Sequence, residues 1–123
     1  MPMKRMLVIT PDPESAEILR LAFELKDFSV THALSSSVAL DHFKAHKPHI
    51  IILDVLGTKT SELETAEEFI TQMKNDVRPT FVLTPRVPDW KAFPLLHANH
   101  ILKKPYNLTT LVHMVIEVAE RGA

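Results

Sequence analysis

The sequence predicts an α/β domain of the doubly wound kind, a five-stranded parallel sheet with helices on both faces and a short or irregular fourth helix. Three observations carry that expectation. Apolar runs of strand length alternate with segments of helical periodicity along the whole chain. The runs at Met6 to Ile9 and Ile50 to Leu53 are continuously apolar, as strands covered on both faces must be. No internal repeat or low-complexity stretch offers another architecture.

Met6 to Thr10 is the first such run, and it stops at Pro11-Asp12-Pro13. Asp12 before Pro13 reads as an N-cap with proline at the first helical position, and Glu14 and Glu17 suit the positive end of the helix dipole. The helix that follows carries Ile18, Leu21, Ala22 and Leu25 at i, i+3, i+4 and i+7, an expected buried stripe, and ends near Lys26-Asp27. Phe28 to Ala33 reads as the second strand. Ser35, Ser36 and Ser37 offer caps for a helix carrying Val38, Ala39, Leu40 and Phe43, which ends before Pro48.

His49 to Leu53, closing on Asp54, is the strongest strand signal. A loop of about a dozen residues is expected after it, then a helix around Glu64 to Lys74 with Ala66, Phe69, Ile70 and Met73 inward. Thr80 to Thr84 reads as the fourth strand. Pro85, Pro88 and Pro94 then leave room only for a short helix or turns. His100 to Lys103 is the fifth strand, and the last helix runs from about Leu108 to Glu120, burying Leu111, Val112, Val115 and Val118 or Ala119.

Composition removes whole classes of function. With two glycines, Gly57 and Gly122, neither a Walker loop nor a dinucleotide fingerprint can be written. Zero cysteines exclude thiolate zinc, iron–sulfur clusters, thiol catalysis and disulfides. A net charge of −1, from 14 basic and 15 acidic residues, gives no electrostatic case for nucleic acid or anionic membrane. No stretch is long and apolar enough to span a bilayer and no signal-peptide pattern is present, so residues 1–123 are expected to form one soluble cytoplasmic domain.

Sites on doubly wound sheets lie at the carboxyl ends of the strands. The informative positions are therefore Thr10, Pro11, Asp12, Asp54, Thr84 and Lys104. Taken with their segments, Leu7-Val-Ile-Thr-Pro-Asp-Pro13, Ile50-Ile-Ile-Leu-Asp-Val55, Phe81-Val-Leu-Thr84 and Ile101-Leu-Lys-Lys-Pro105, these positions resemble the receiver domain of two-component response regulators, a flavodoxin-like fold. The likeness spans essentially the whole chain. It implies that Asp54 stands where the family's phosphoacceptor stands. It also implies that Thr84 would hydrogen-bond phosphoryl oxygens and that Lys104, before a cis proline, would neutralise their charge. Nucleophilic carboxylate, hydroxyl donor and ammonium suit developing phosphate charge.

The departures point to a degenerate receiver. Thr10 and Pro11 occupy the positions of the family's magnesium-binding acidic pair, and neither supplies a carboxylate. Magnesium at a phosphoryl site asks for one or two carboxylates, so binding of Mg2+ is expected to be weak or absent, with no cofactor and with Asp12 only a weak candidate ligand. Losing two neighbouring negative charges leaves Asp54 ionised and paired with Lys104 at rest. Leu56-Gly57-Thr58-Lys59 replaces the family's Met-Pro pattern in a loop expected to be longer, and Ile101 stands where the switch aromatic would be.

Blander readings stand beside these. Thr84 suits a strand for its own sake, Lys103 offers a competing register to Lys104, and Asp12 is first of all a helix cap. His42, His46 and His49 fall at helical spacing without a third ligand on a defined element. His97 and His100 border the fifth strand as loop histidines or part of a partner surface. Trp90 is either an exposed anchor for a partner or a lid on the sheet, and Tyr106 reads as packing.

The leading expectation is a non-enzymatic signalling module acting by protein–protein contact through the fourth-helix, fifth-strand and fifth-helix face, with phosphorylation at Asp54 lost or much weakened. A histidine kinase or an output protein or domain would be its partner, and the resemblance also admits a homodimer through the last helix. The alternatives are a working phosphoreceiver, in which Asp12 or water replaces the acidic pair, and an unrelated small α/β enzyme, for which no carboxylate pair, glycine loop or Ser-His-Asp order stands at a strand end.

Overall fold

Continuous burial of the short central strands sets the architecture. In the computed structural model, which describes residues 4–56, 60–73, 79–85, 87, 89–97 and 99–121, the elements in order are β1 (Lys4–Ile9), α1 (Pro13–Glu24), β2 (Phe28–Ala33), α2 (Ser36–His46), β3 (Ile50–Asp54), α3 (Thr60–Gln72), β4 (Thr80–Thr84), α4 (Pro94–His97), β5 (His100–Lys103) and α5 (Leu108–Arg121). The strands pair in parallel in the order β2-β1-β3-β4-β5. This is the doubly wound sheet the alternation predicts. β3 and β4 are buried at every position because helices cover both their faces.

Alternate side chains divide the core into two. Leu7, Ile9, Ile51, Leu53 and Val82 meet Phe43, Leu63, Phe69, Phe93 and Leu96 from α2, α3 and the α4 region. Met6, Val8, Ile50, Ile52, Phe81 and Leu83 meet Leu19 and Phe23 of α1 and Leu111, Val112, Val115 and Ala119 of α5. Phe23 and Phe28 pack edge to face at 5.5 Å, which anchors the end of α1 to the start of β2. Within α5 it is Ala119, not Val118, that is fully buried.

Several elements differ from expectation. Most of the expected α1 stripe faces outward: Ile18, Leu21 and Leu25 are exposed, Leu25 by 83%, while Ala22 is half-buried against the core and Ala16, Leu19 and Phe23 are the buried residues. A helical period fits either stripe, and Phe23 offers the larger apolar surface to bury. In α2, Val38 is likewise exposed while Ala39 and Phe43 are buried. α1 ends at Glu24, and α3 begins at Thr60, so the loop after Asp54 covers only positions 55–59 and is not the long one expected. Gly57, Thr58, Lys59, Lys74, Pro88 and Gly122, and the side chain of His97, lie outside the described residues.

The shortage of glycine has a structural consequence at the left-handed positions. Asp27 (φ 66°) and Lys47 (φ 47°) hold conformations that glycine adopts without a Cβ penalty. Lys47 closes α2, and the Arg5 guanidinium holds the turn from β1, donating from Nε to the carbonyls of His46 (2.7 Å) and Lys47 (3.2 Å) and from Nη2 to Lys47 (3.1 Å).

Candidate functional site

Asp54 ends β3 at the centre of the sheet, so its side chain emerges among the carboxyl ends of β1, β3 and β4. It is almost sealed from water, with 3% of the side chain exposed. A buried carboxylate must be compensated, and two groups do so. The Thr10 hydroxyl, at the end of β1, donates to Asp54 Oδ2 at 2.7 Å. The Lys104 ammonium forms an ion pair with Asp54 Oδ1 and donates to the Val55 carbonyl at 3.0 Å. Oδ1 takes no directed hydrogen bond among the described residues, so its compensation is the charge of Lys104.

Backbone hydrogen bonds fix each participant. Thr10 N–H donates to Ala33 O at 3.0 Å, Val55 N–H to Leu83 O at 2.8 Å, and Lys104 N–H to Thr84 O at 2.8 Å. The Lys104–Pro105 peptide is cis. Thr84 is buried at the end of β4. Lys103 lies exposed on β5, opposite Thr84 in the sheet register, so the structure brings Lys104 and not Lys103 to Asp54. Ile101 is half-buried against the α2–α3 side of the core.

Pro11, which follows Thr10, has neither an N–H nor a polar side-chain atom. Asp12 caps α1, its Oδ1 accepting from Glu14 N–H at 3.2 Å and its Oδ2 from the Ser15 hydroxyl at 2.6 Å. The Ser15 hydrogen bond holds this carboxyl below the usual carboxylate range against the opposing effect of burial, with the N–H groups of Glu14 and Ser15 and the charge of Lys104 adding to the lowering.

Two clefts flank Asp54. One of about 440 Å³ is lined by Ser15, Asp54, Lys104, Pro105 and Tyr106. The other, about 220 Å³ and largely apolar, lies among Ile9, Pro11, Leu34, Leu56 and Glu62. Tyr106 packs against the α5 side of the core as expected, but it also faces the first cleft. Burial raises its phenol above the ordinary value of 10.0, and the negative charge of Asp54 adds to the rise.

Some residues had no sequence signal for the site. His32 Nε2 lies 2.8 Å from the Thr10 carbonyl, a contact across β2 and β1 that no local pattern announces. His42 and His46 stack at 5.8 Å, and no group of three potential metal ligands converges among the described residues. His100 stacks on Phe81 at 4.6 Å. Trp90 is 57% exposed, with Lys91 Nζ 5.7 Å from its ring centre, and Phe93 and Leu96 provide the cover over the sheet. No described helix is long and apolar enough to cross a membrane.

No protein-family model matches the chain. Solved structures do. A two-component response regulator from Clostridium difficile aligns at 18% identity and TM-score 0.77, covering 97% of both chains. The chemotaxis protein CheY4 of Vibrio cholerae aligns at 20% and 0.75, covering 94% of this chain and 98% of its own. The response regulator TrrA of Thermotoga maritima, solved in complex with Mg2+ and beryllofluoride, aligns at 24% and 0.72 with the same coverage. The fold is that of response-regulator receiver domains.

Proposed function

We propose that this chain is a receiver module of two-component signalling that works mainly through protein–protein contact, with phosphorylation of Asp54 lost or much weakened. The observation that carries this reading is the hydroxyl of Thr10, 2.7 Å from Asp54 Oδ2, at the end of β1. A receiver holds magnesium there with carboxylates; here a neutral donor already occupies one oxygen of Asp54 and an ammonium compensates the other. Asp12 is engaged with its own helix, and the Pro11 side chain carries no oxygen. That donor set does not fit a hard octahedral cation, which takes carboxylate and water oxygens. Without the metal, the charge gathering on a transferring phosphoryl group would face Lys104 with little help. Contact with a histidine kinase or with an output protein or domain then falls to the α4–β5–α5 face.

A second reading, a working phosphoacceptor, draws support from the company Asp54 keeps: Thr84 buried at the end of β4, and Lys104 paired to Asp54 before a cis proline. One experiment separates the two. The protein is incubated with acetyl phosphate, or with beryllofluoride, in millimolar magnesium, beside Asp54→Asn and a Thr10→Asp/Pro11→Asp double variant. The first reading expects no phosphoryl mass gain and no shift changes around Asp54 in the native protein, and gain of both in the double variant. A phosphoryl adduct on the native protein that Asp54→Asn abolishes would establish the second.

A further inference from the structure

The short crossover between β4 and β5 is held by a residue from elsewhere in the chain. α4 is four residues long and opens with Pro94, which has no N–H to place. The next two N–H groups, Leu95 and Leu96, would ordinarily go to a local cap or to water. Instead both donate to one carboxylate on α3: Leu95 N–H to Glu67 Oε1 at 3.1 Å and Leu96 N–H to Glu67 Oε2 at 3.0 Å. The far end is closed locally, with the Asn99 amide donating to Leu95 O at 2.6 Å and Asn99 N–H to Leu96 O at 3.1 Å. Before the helix, Asp89 organises the turn, accepting from Lys91 N–H on its side chain and from Phe93 N–H on its carbonyl. Phe93 and Leu96 drop into the core, and Val87, Trp90 and Leu95 are left facing outward.

We infer that Glu67 is a positioning residue that latches α4 to α3, and so presents the α4–β5 face in one arrangement whatever the state of Asp54. This inference rests on the proposed role of that face in protein contact. None of the latch contacts involves Thr10, Asp54 or Lys104, so the site and α4 are held by separate sets of bonds. Two charge-assisted hydrogen bonds from one side chain are a strong restraint on so short a helix, whose own turn contributes little.

Amide hydrogen exchange followed by NMR tests it, in the native chain, Glu67→Ala, Glu67→Gln and Asp54→Asn. Exchange at Leu95 and Leu96 is expected to quicken about tenfold in Glu67→Ala, the usual scale for loss of a cap, while Ile52 in β3 keeps its protection. Glu67→Gln, which retains one acceptor oxygen, should restore protection at one of the two amides. Asp54→Asn should leave both unchanged. The inference is overturned if Glu67→Ala exchanges at the native rate, or if Asp54→Asn loosens Leu95 and Leu96 as much as Glu67→Ala does. Should Glu67→Ala fail to fold, the Gln variant and Asp54→Asn still decide it, because full native protection at both amides in the Gln variant refutes a two-oxygen latch. No partner or phosphoryl donor enters the measurement, so it stands or falls apart from the phosphorylation test.

Discussion

Replacing Lys104 with Met should destabilise the fold far more than replacing Asp54 with Asn, although both break the same ion pair. The two charges are not equally buried: 3% of the Asp54 side chain is exposed against 24% of Lys104. Lys104→Met leaves a nearly dry carboxylate that keeps the Thr10 hydroxyl bond but loses its counter-charge. Removing one partner of a buried pair in this way costs about 3–5 kcal/mol. Asp54→Asn keeps an acceptor for Thr10 and leaves an ammonium that can turn to water while still bonding the Val55 carbonyl. Its cost should be about 1 kcal/mol, that of an ordinary hydrogen bond. Urea denaturation monitored by circular dichroism reads the difference directly. With a slope of about 2 kcal/mol per molar, the Lys104→Met midpoint should fall by roughly 2 M and the Asp54→Asn midpoint by roughly 0.5 M. Adding Asp54→Asn to Lys104→Met should recover most of the loss, because the stranded charge is gone. Equal losses in the two single variants, or no recovery in the double, would refute the claim that burial of Asp54 makes Lys104 indispensable.

Two further expectations follow from the same structure. Tyr106 is the sole tyrosine, so its phenolate absorbance titrates cleanly; Asp54→Asn should lower its pKa part of the way towards 10.0, since burial, the larger cause, remains. Because the folded value is raised, the native state holds that proton more tightly, and the associated stability is present below pH 10 and declines as pH rises through the folded value. Lys47→Gly should raise stability by about 1 kcal/mol in urea denaturation by relieving the left-handed backbone at φ 47°.

What the sequence makes legible is what depends on local runs and on their order. Ile50 to Asp54 and Thr80 to Thr84 announce buried strands by composition alone, and their ends locate Asp54 and Thr84. The direction of α1 is not legible in the same way. Ile18-Leu21-Leu25 and Ala16-Leu19-Phe23 both have helical spacing, and the choice is made by the fit of Phe23 against Phe28, a tertiary fact. Glu67 is invisible for a related reason: its partners lie 28 and 29 residues away and are backbone N–H groups, which carry no side-chain signature. Thr10 is the instructive intermediate. Its position was informative, but as a missing carboxylate it predicts only an absence, whereas in the folded chain its hydroxyl supplies a donor to Asp54.

Under the proposed reading, a donor in place of an acceptor at Thr10 changes the electrostatics of the strand-end site. Carboxylates beside Asp54 would repel it and one another, and a dication would be the natural means of holding them together. With Thr10 in place the local groups balance: one carboxylate, one ammonium, one hydroxyl whose proton is already given. A phosphoryl group arriving on Asp54 would bring additional negative charge and three strong acceptor oxygens. It would also weaken the donor bond from Thr10, because the carbonyl oxygen of an acyl phosphate is a poorer acceptor than a carboxylate oxygen. The resting state is thus stabilised by a contact that phosphorylation would weaken. Under the proposed reading the folded chain therefore favours one state, and the α4–β5 face, held by Glu67 through bonds that do not pass through Asp54, is suited to constitutive contact and not to a phosphorylation-driven switch.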